Sequence, residues 1–305
     1  MRRKVRTLPL LTSAIHPFIP KRQFITMRQL TLTISLLCIA GFCLAQPRVK
    51  PSQWIQLFNG KDLKDWKVKI TGHPLNDNYA NTFRVVNGNM VVNYDQYKTF
   101  DEQYGHIFYK QKYSAYLLVV EYRFVGQQVA GGPGWAIRNS GAMLHSQNPE
   151  TMGLKQDFPI SLETQFLGGD GQHERHTANL CTPGTNVVLD GKLFTPHCIE
   201  SKSKTYPGEQ WVRAEVLVLG DSLVQHIMEG DTVLTYTKPQ IGGGNVIQFD
   251  PAVKKDGQPL REGYIALQSE SHPIEFRKVA LFNLAPYVDK PKQLTAVLRQ
   301  LQARK

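Results

Sequence analysis

The sequence predicts an all-β sandwich or barrel. Short runs alternate apolar and polar residues at period two, Gly, Pro, Asn and Asp punctuate them at regular intervals, and helical periodicity is almost missing before Pro291. In order, residues 83–86 and 90–93 flank Asn87-Gly88, a pair that accepts positive φ and reads as a type I′ hairpin. Residues 115–124 alternate throughout. Residues 135–137 and 141–145 flank an apparent Asn139-Ser140 turn. Residues 211–219 alternate, turn at Gly220-Asp221 into 223–228, and turn again at Glu229-Gly230-Asp231 into 232–236. Residues 263–269 and 274–283 close the series. Residues 182–208 and the Gly-rich 241–259 read as long loops. In the tail, Leu294, Val297, Leu298 and Leu301 follow helical spacing after Pro291, so a short C-terminal helix is expected.

The run Asp157-Phe-Pro-Ile-Ser-Leu-Glu-Thr-Gln-Phe-Leu-Gly-Gly-Asp170 is the most informative. Ile160, Leu162, Thr164 and Phe166 point one way from a strand, and Ser161, Glu163 and Gln165 the other. A structural strand needs no acid beside an amide on its second face. A polar groove does, and polar grooves of this kind bind sugars.

The N-terminal region reads as a leader. Residues 32–45 are apolar, Arg28 precedes them, and Cys43-Leu-Ala45 offers small residues for cleavage before Gln46. The run is short for a membrane span, so the mature chain is expected to have none. Met27 would start a signal of normal proportions, with a long basic n-region from Met1 as the alternative. Phe42 and Leu37 precede the two leader cysteines where an acylated cysteine wants a small residue, which disfavours a lipid anchor. The 305 residues carry 36 Lys/Arg, 25 Asp/Glu and a net charge of +11, but seven of the basic residues and none of the acids lie in 1–45. Without the leader the charge is +4, which makes no case for nucleic acid. The expected organisation is a leader over 1–45, a linker over 46–53, one sandwich over 54–286 and a helical tail over 287–305.

Cys181 and Cys198 remain after the leader. In an oxidising compartment they would pair across a loop-like segment, with two buried thiols as the alternative. A zinc site at Cys198 with His197 lacks CxxC spacing.

Four ordered segments resemble the 3-keto-disaccharide hydrolase domain family. They are Leu57-Phe-Asn-Gly-Lys-Asp-Leu-Lys-Asp-Trp66, Arg138-Asn-Ser-Gly-Ala-Met-Leu-His145, Ser161-Leu-Glu-Thr-Gln165 and Gly263-Tyr-Ile-Ala-Leu-Gln-Ser-Glu-Ser-His-Pro-Ile-Glu-Phe-Arg277. The resemblance runs from about Trp54 to Leu284. It implies a concanavalin A-like jelly roll, export to the periplasm or cell surface, and action on glycosides already oxidised at C3. The segment holding the two cysteines resembles an insertion found in one branch of that family.

A ketone at C3 acidifies the C2 proton. A base can remove it, an enolate forms, and the C1 substituent leaves, with or without later addition of water. That route needs a base near C2, an electrophile near the C3 oxygen and an acid at the leaving oxygen. An ordinary glycosidase needs two carboxyl groups flanking C1, about 5.5 Å apart in retaining enzymes.

Glu163 is the first candidate for acid/base work, its plain alternative being an ion pair with an Arg. His145, on the same strand face as Met143, is a candidate base, electrophile or metal ligand. Arg138 could stabilise an enolate oxygen or pair with Glu163. Gln165, Asn139, His226, Gln268 and Glu270 are candidate substrate contacts, and Glu270 is also a possible second carboxyl. Against these stand a turn role for Asn139, core packing for His226 and a solvated loop for Glu270. His173 and His176, with Glu174 between them, could hold a divalent metal, though a polar solvated loop is the favoured reading. No cofactor is otherwise implied. Trp135, Tyr79, Tyr104 and Tyr206 could stack on sugar rings, although most sandwich aromatics are core.

The expected activity is therefore base-assisted elimination or hydrolysis of a 3-keto-glycoside, with an oligosaccharide or glycoside as partner. The alternatives are a non-catalytic carbohydrate-binding module and a hydrolase of unoxidised β-glucans. The latter is disfavoured because the Glu163 strand supplies no second acid.

Overall fold

A computed structural model describes residues 48–303; the expected leader, its cleavage site and the alternative start lie outside the described residues. In chain order the strands are β1 (Trp54–Gln56), β2 (Trp66–Ile70), β3 (Phe83–Val86), β4 (Asn89–Val92), β5 (Gly105–Tyr109), β6 (Ala115–Phe124), β7 (Asn139–Ser146), β8 (Leu162–Leu167), β9 (Asn179–Cys181), β10 (Thr185–Leu189), β11 (Lys192–Phe194), β12 (Cys198–Ile199), β13 (Val212–Leu219), β14 (Leu223–Met228), β15 (Asp231–Ile241), β16 (Tyr264–Ser269) and β17 (Ile274–Asn283). Helix α1 spans Pro291–Gln302.

They build two antiparallel sheets. One runs β11-β10-β15-β14-β13-β6-β17-β4-β3, with β1 also on β17; the other runs β12-β9-β8-β7-β16-β5-β2. Hairpin neighbours such as β3–β4 and β13–β14 alternate with neighbours distant in sequence, such as β10–β15, β6–β17 and β7–β16, as in a jelly roll, and the fold is a concanavalin A-like sandwich. The core lies between the sheets. Tyr116, Leu118, Val120 and Tyr122 of β6 meet Leu144 of β7, Leu162 and Phe166 of β8 and Leu267 of β16. Tyr122 stacks on Phe166 at 4.3 Å, and its hydroxyl is 2.8 Å from Thr177 Oγ1. At the β3–β4 turn Asn87 and Gly88 both have positive φ, the type I′ geometry their sequence favours.

The outer face of the larger sheet is covered at one end by α1. Val297 and Leu301 are buried against Leu117, Leu217, Ile227 and Phe282. Elsewhere that face is charged: Glu121 pairs with Arg213 and Arg277, and Trp211 lies between Arg123 and Arg277 at 4.7 and 4.6 Å. Among the described residues, no helix is long and apolar enough to cross a membrane.

Three local expectations are corrected. Residues 135–137 are not a strand: Gly134–Ala136 is a 3-10 turn and Asn139 begins β7, so Asn139 and Ser140 make no hairpin turn. Residues 182–208 are not simply loop, because β10 and β11 form a hairpin and β12 pairs with β9. In that pairing Cys198 stands opposite Cys181, and the two are disulfide-bonded. The third concerns β7. Ser146 stands opposite Tyr264 and Met143 opposite Ala266, so Leu144 and His145 together face the single Ile265. This bulge, with φ +47° at His145, turns the histidine to the opposite face from Met143.

The disulfide closes a segment of sequence separation 17. Replacing both cysteines by serine should lower unfolding stability by about 3 kcal/mol in the chain-entropy picture. Denaturant midpoints of the two proteins, with and without a thiol reductant, measure this; equal midpoints would remove the disulfide from the stability account.

Candidate active site

The smaller sheet has an apolar core face and a polar outer face. Register sets the outer one. Glu163 stands opposite Met143 and Cys181, Gln165 opposite Gly141 and Asn179, and His106 opposite Lys69 and Gln268. Neighbours on adjacent strands share a face, so residues from six strands converge that are far apart in sequence.

Two carboxyls lie at the centre. Glu163 on β8 is 6 % exposed and Glu270, just past β16, is 4 % exposed. Glu163 Oε1 and Glu270 Oε2 have no hydrogen-bond partner among the described residues. Burial pushes the Glu163 carboxyl up to about 8. Burial and then the Glu163 charge push Glu270 well above its ordinary value. The two therefore titrate as a pair. The sequence argument that Glu163 lacks a second acid holds for its own strand only; β7 and β16 bring Glu270 beside it.

Gly141 makes the arrangement possible. A Cβ there would lie 2.5 Å from Glu163 Oε1 and 2.6 Å from its Cγ, so the acid lies across the space that any other side chain would fill.

Both carboxyls line a cavity of about 560 Å3, together with Asn139, Gln165, Arg175, Trp135, Phe158 and Asp157. The size is ordinary for a small-molecule site. Gln165 Oε1 accepts from Asn179 Nδ2 at 3.0 Å, leaving its own amide N–H groups for a ligand. Asn139 Oδ1 is buried without a partner. Arg175 Nη1 donates to Ile137 O at 2.6 Å and to Gly168 O at 2.9 Å, which holds a cation in the wall. Trp135 is 54 % exposed and stacks on Tyr104 at 6.1 Å. The disulfide, His197 and Pro183 also line it. Asp157 Oδ1 accepts from the backbone N–H groups of Phe158 and Ile247, joining the segment before β8 to the Gly-rich loop after β15.

Beside the cavity the polar row continues under cover. Gln268 is buried with neither amide atom partnered, and His106 is buried with neither ring nitrogen partnered among the described residues. Burial and the nearby Lys69 charge hold His106 down at about 3, so it is neutral. Burial holds Lys69 down at about 8, and its Nζ donates to Ile70 O and Leu154 O.

Several expected site residues lie elsewhere. His145 is at the bulge, where its Nε2–H donates to Gly220 O at 3.1 Å, so it does not meet Glu163. Arg138 does not pair with Glu163; its φ is +45° and its Nη1 donates to Gly208 O at 2.8 Å. His226 is in the core: Nδ1–H donates to Ala178 O at 2.9 Å, and Nε2 accepts from Thr164 and Tyr236 hydroxyls, each at 3.0 Å. Burial keeps it neutral, down at about 4.

His173 and His176 do not converge as metal ligands. His173 Nδ1 is 2.9 Å from Asp170 Oδ2, whereas His176 Nδ1 donates to Ser203 O. Among the described residues one cluster has metal-ligand spacing, Cys181, His197 and Cys198, and the disulfide already occupies both sulfurs.

Arg175, Asp157, His106 and Gly141 were not singled out from sequence. His106 alternates with Ile107 in 105–109, a legible strand signal. The space needed above Gly141 has no sequence signature.

Gly141→Ala should leave the fold intact and displace the Glu163 carboxyl. In carbon-13 spectra of Glu-labelled protein, its titration midpoint should fall from about 8 towards the ordinary carboxyl range. A midpoint equal to wild type would show that the carboxyl does not lie over residue 141.

Comparison with solved structures finds several distant likenesses. One is a candidate glycosyl hydrolase from Parabacteroides distasonis, 17 % identical, covering 78 % of this chain and 98 % of that one with a TM-score of 0.45. Another is a β-glucanase from Bacillus licheniformis, 10 % identical, with coverages of 75 % and 97 % and a TM-score of 0.40. A third is the carbohydrate-binding module CBM66 from Bacillus subtilis, 10 % identical, with coverages of 59 % and 87 % and a TM-score of 0.34. No curated protein matches the chain. The model of one domain family matches residues 53–281, the whole sandwich apart from its last strand end. The chain therefore belongs to the family of 3-keto-alpha-glucoside-1,2-lyase-like domains.

Proposed function

We propose that this protein cleaves 3-keto-glycosides by elimination across C1 and C2, assisted by the Glu163–Glu270 pair. The carrying observation is a buried carboxyl pair whose two members are both shifted upward. The charge of Glu163 raises Glu270, so an ionised Glu163 holds the proton on Glu270. The working form therefore holds one proton, on Glu270, and one base, on Glu163.

In this reading Glu163 removes the C2 proton, and the C–H electrons become the enolate of the C3 ketone. The ketone re-forms as the C1–O bond breaks and a C1–C2 double bond is made, and Glu270 protonates the departing oxygen. The pair ends with its single proton on the other carboxyl, so its total charge is unchanged. Arg175, Asn139 and Gln165 supply the donors that an enolate oxygen and ring hydroxyls require. Water can add to the enone afterwards to complete hydrolysis.

A hydrolase of unoxidised glycosides is the second reading, favoured by the nearness of Glu270. It fits less well. An oxocarbenium-like transition state gains from a carboxylate that stays ionised beside C1, whereas burial opposes charge on both groups and favours a step in which Glu163 is neutralised by taking a proton. Enolate formation places negative charge on the substrate instead, where neutral acids and amides stabilise it.

Glu163→Gln should lower turnover of a 3-keto-glucoside by roughly 10²–10⁴-fold with the fold retained, and Glu270→Gln should do likewise. For wild type, kcat/KM should climb with pH up to about 8, as Glu163 ionises, and fall when Glu270 follows. Turnover of unoxidised β-glucans at a comparable rate would favour the second reading. Full activity of Glu163→Gln would sink both.

Export belongs to the same proposal, supported by the apolar run over 32–45 and by a disulfide suited to an oxidising compartment. The exported protein should begin at Gln46 on N-terminal sequencing; an intact leader on protein retained in the cytoplasm would contradict it.

A further inference from the structure

A polar row crosses the outer face of the smaller sheet and ends at Glu163. Lys69 on β2 stands opposite His106 on β5, and His106 opposite Gln268 on β16. Leu267 stands opposite Ala142, so Gln268, the next position along, comes level with Gly141 on β7. Gly141 in turn stands opposite Gln165. The side chain that glycine lacks leaves a gap in the row, and the Glu163 carboxyl lies across it. Gln268 and that carboxyl are therefore neighbours.

The row is enclosed. Lys69, His106 and Gln268 are all buried, and the Phe158 ring, which lines the acid cavity, meets His106 edge-on at 5.9 Å. Polar atoms shut away from water need partners. Both His106 nitrogens, both Gln268 amide atoms and Glu163 Oε1 have none among the described residues. Directly opposite residues have Cβ atoms about 4.5–5.5 Å apart, a gap that a side-chain hydrogen bond or one bridging water spans. Lys69 sets the direction. An ammonium only donates, and two of its three N–H groups go to Ile70 O and Leu154 O, each at 2.9 Å. The third is left for His106, whose ring feels the Lys69 charge. Neutral His106 accepts on that side and so donates on the other. Gln268 then accepts through its carbonyl oxygen and donates through its amide nitrogen, and a carboxylate at Glu163 accepts at the end.

We propose that Lys69, His106 and Gln268 form a one-way hydrogen-bond chain that delivers an N–H to Glu163 Oε1, with His106 as the positioning residue that turns the Gln268 amide towards the base. Donation to the ionised form favours that form, so the chain marks Glu163 as the member of the pair that gives up its proton. The other charged or titratable side chains lining the cavity around Glu163 are Glu270, Asp157, Arg175 and His197, and none of them belongs to the row. The effect on turnover rests on the reading of Glu163 as base; the chain itself does not.

Carbon-13 titration of Glu-labelled protein without substrate tests the chain apart from turnover. Gln268→Leu removes the last donor and should raise the Glu163 midpoint by roughly one pH unit. His106→Leu should raise it equally, and the double variant no further, because the links act in series. His106→Gln keeps one acceptor and one donor and should return the midpoint to that of wild type. Nitrogen-15 spectra of the wild type, which need no variant to fold, should show His106 as a single tautomer with one protonated and one accepting nitrogen. At pH 7 both leucine variants should lose kcat about tenfold with KM unchanged and regain it at higher pH, as a shifted base requires.

An unmoved midpoint in Gln268→Leu, additive shifts in the double variant, or a mixture of His106 tautomers would overturn the chain. A His106→Gln midpoint equal to that of His106→Leu would reduce His106 to packing and overturn its positioning role. The expected midpoints in a protein that turns over no 3-keto-glycoside would leave the chain standing and refute the chemistry alone.

Discussion

Two carboxyl groups held side by side away from water are the costly feature around which the smaller sheet is organised. An isolated buried carboxylate is strongly disfavoured, so the pair responds by keeping its protons. Burial is the largest cause of both shifts, and the Glu163 charge adds to that of Glu270. Everything that covers them contributes to that shift: the Cys181–Cys198 wall, Phe158, and the loop joined to it through Asp157. Without this cover the pair would relax towards ordinary carboxylates and lose the division between base and acid.

The sandwich supplies the rigidity that such a pair requires. The opposite face of the same strands is packed core, with Leu162, Thr164 and Phe166 of β8 fixed against the other sheet. Even the core histidine contributes, since His226 ties Thr164 to Tyr236 across the interior. The polar face therefore inherits positions set by apolar packing, and Gly141 opens the space in which the Glu163 carboxyl lies down on the sheet.

In the proposed reaction a ketone-bearing substrate suits this environment because negative charge develops on the substrate while Glu163 acts as base and Glu270 as acid. The same cavity is a poor place to stabilise a cationic sugar. The disulfide lies in the wall itself, opposite Glu163 in the pairing of β8 with β9, so oxidation of the two cysteines bears on the shape of the site as well as on stability.

Much of the fold was legible in period-two alternation and turn chemistry: β6, β14, β17 and the Asn87-Gly88 hairpin stand where the pattern puts them. So was the shared face of Glu163 and Gln165, since alternation along one strand is a local property. Alternation failed at His145, where a bulge adds one residue and reverses the face, and at Arg138, where a positive φ redirects the chain. It could not tell that His226 looks inward, because both faces of β14 carry apolar residues. Nor could it set Glu270 beside Glu163. Local sequence determines which residues share a strand face. Which strands become neighbours, and hence which carboxyls meet and lose their water, depends on the crossover order of the whole sheet, and only the tertiary structure decided that.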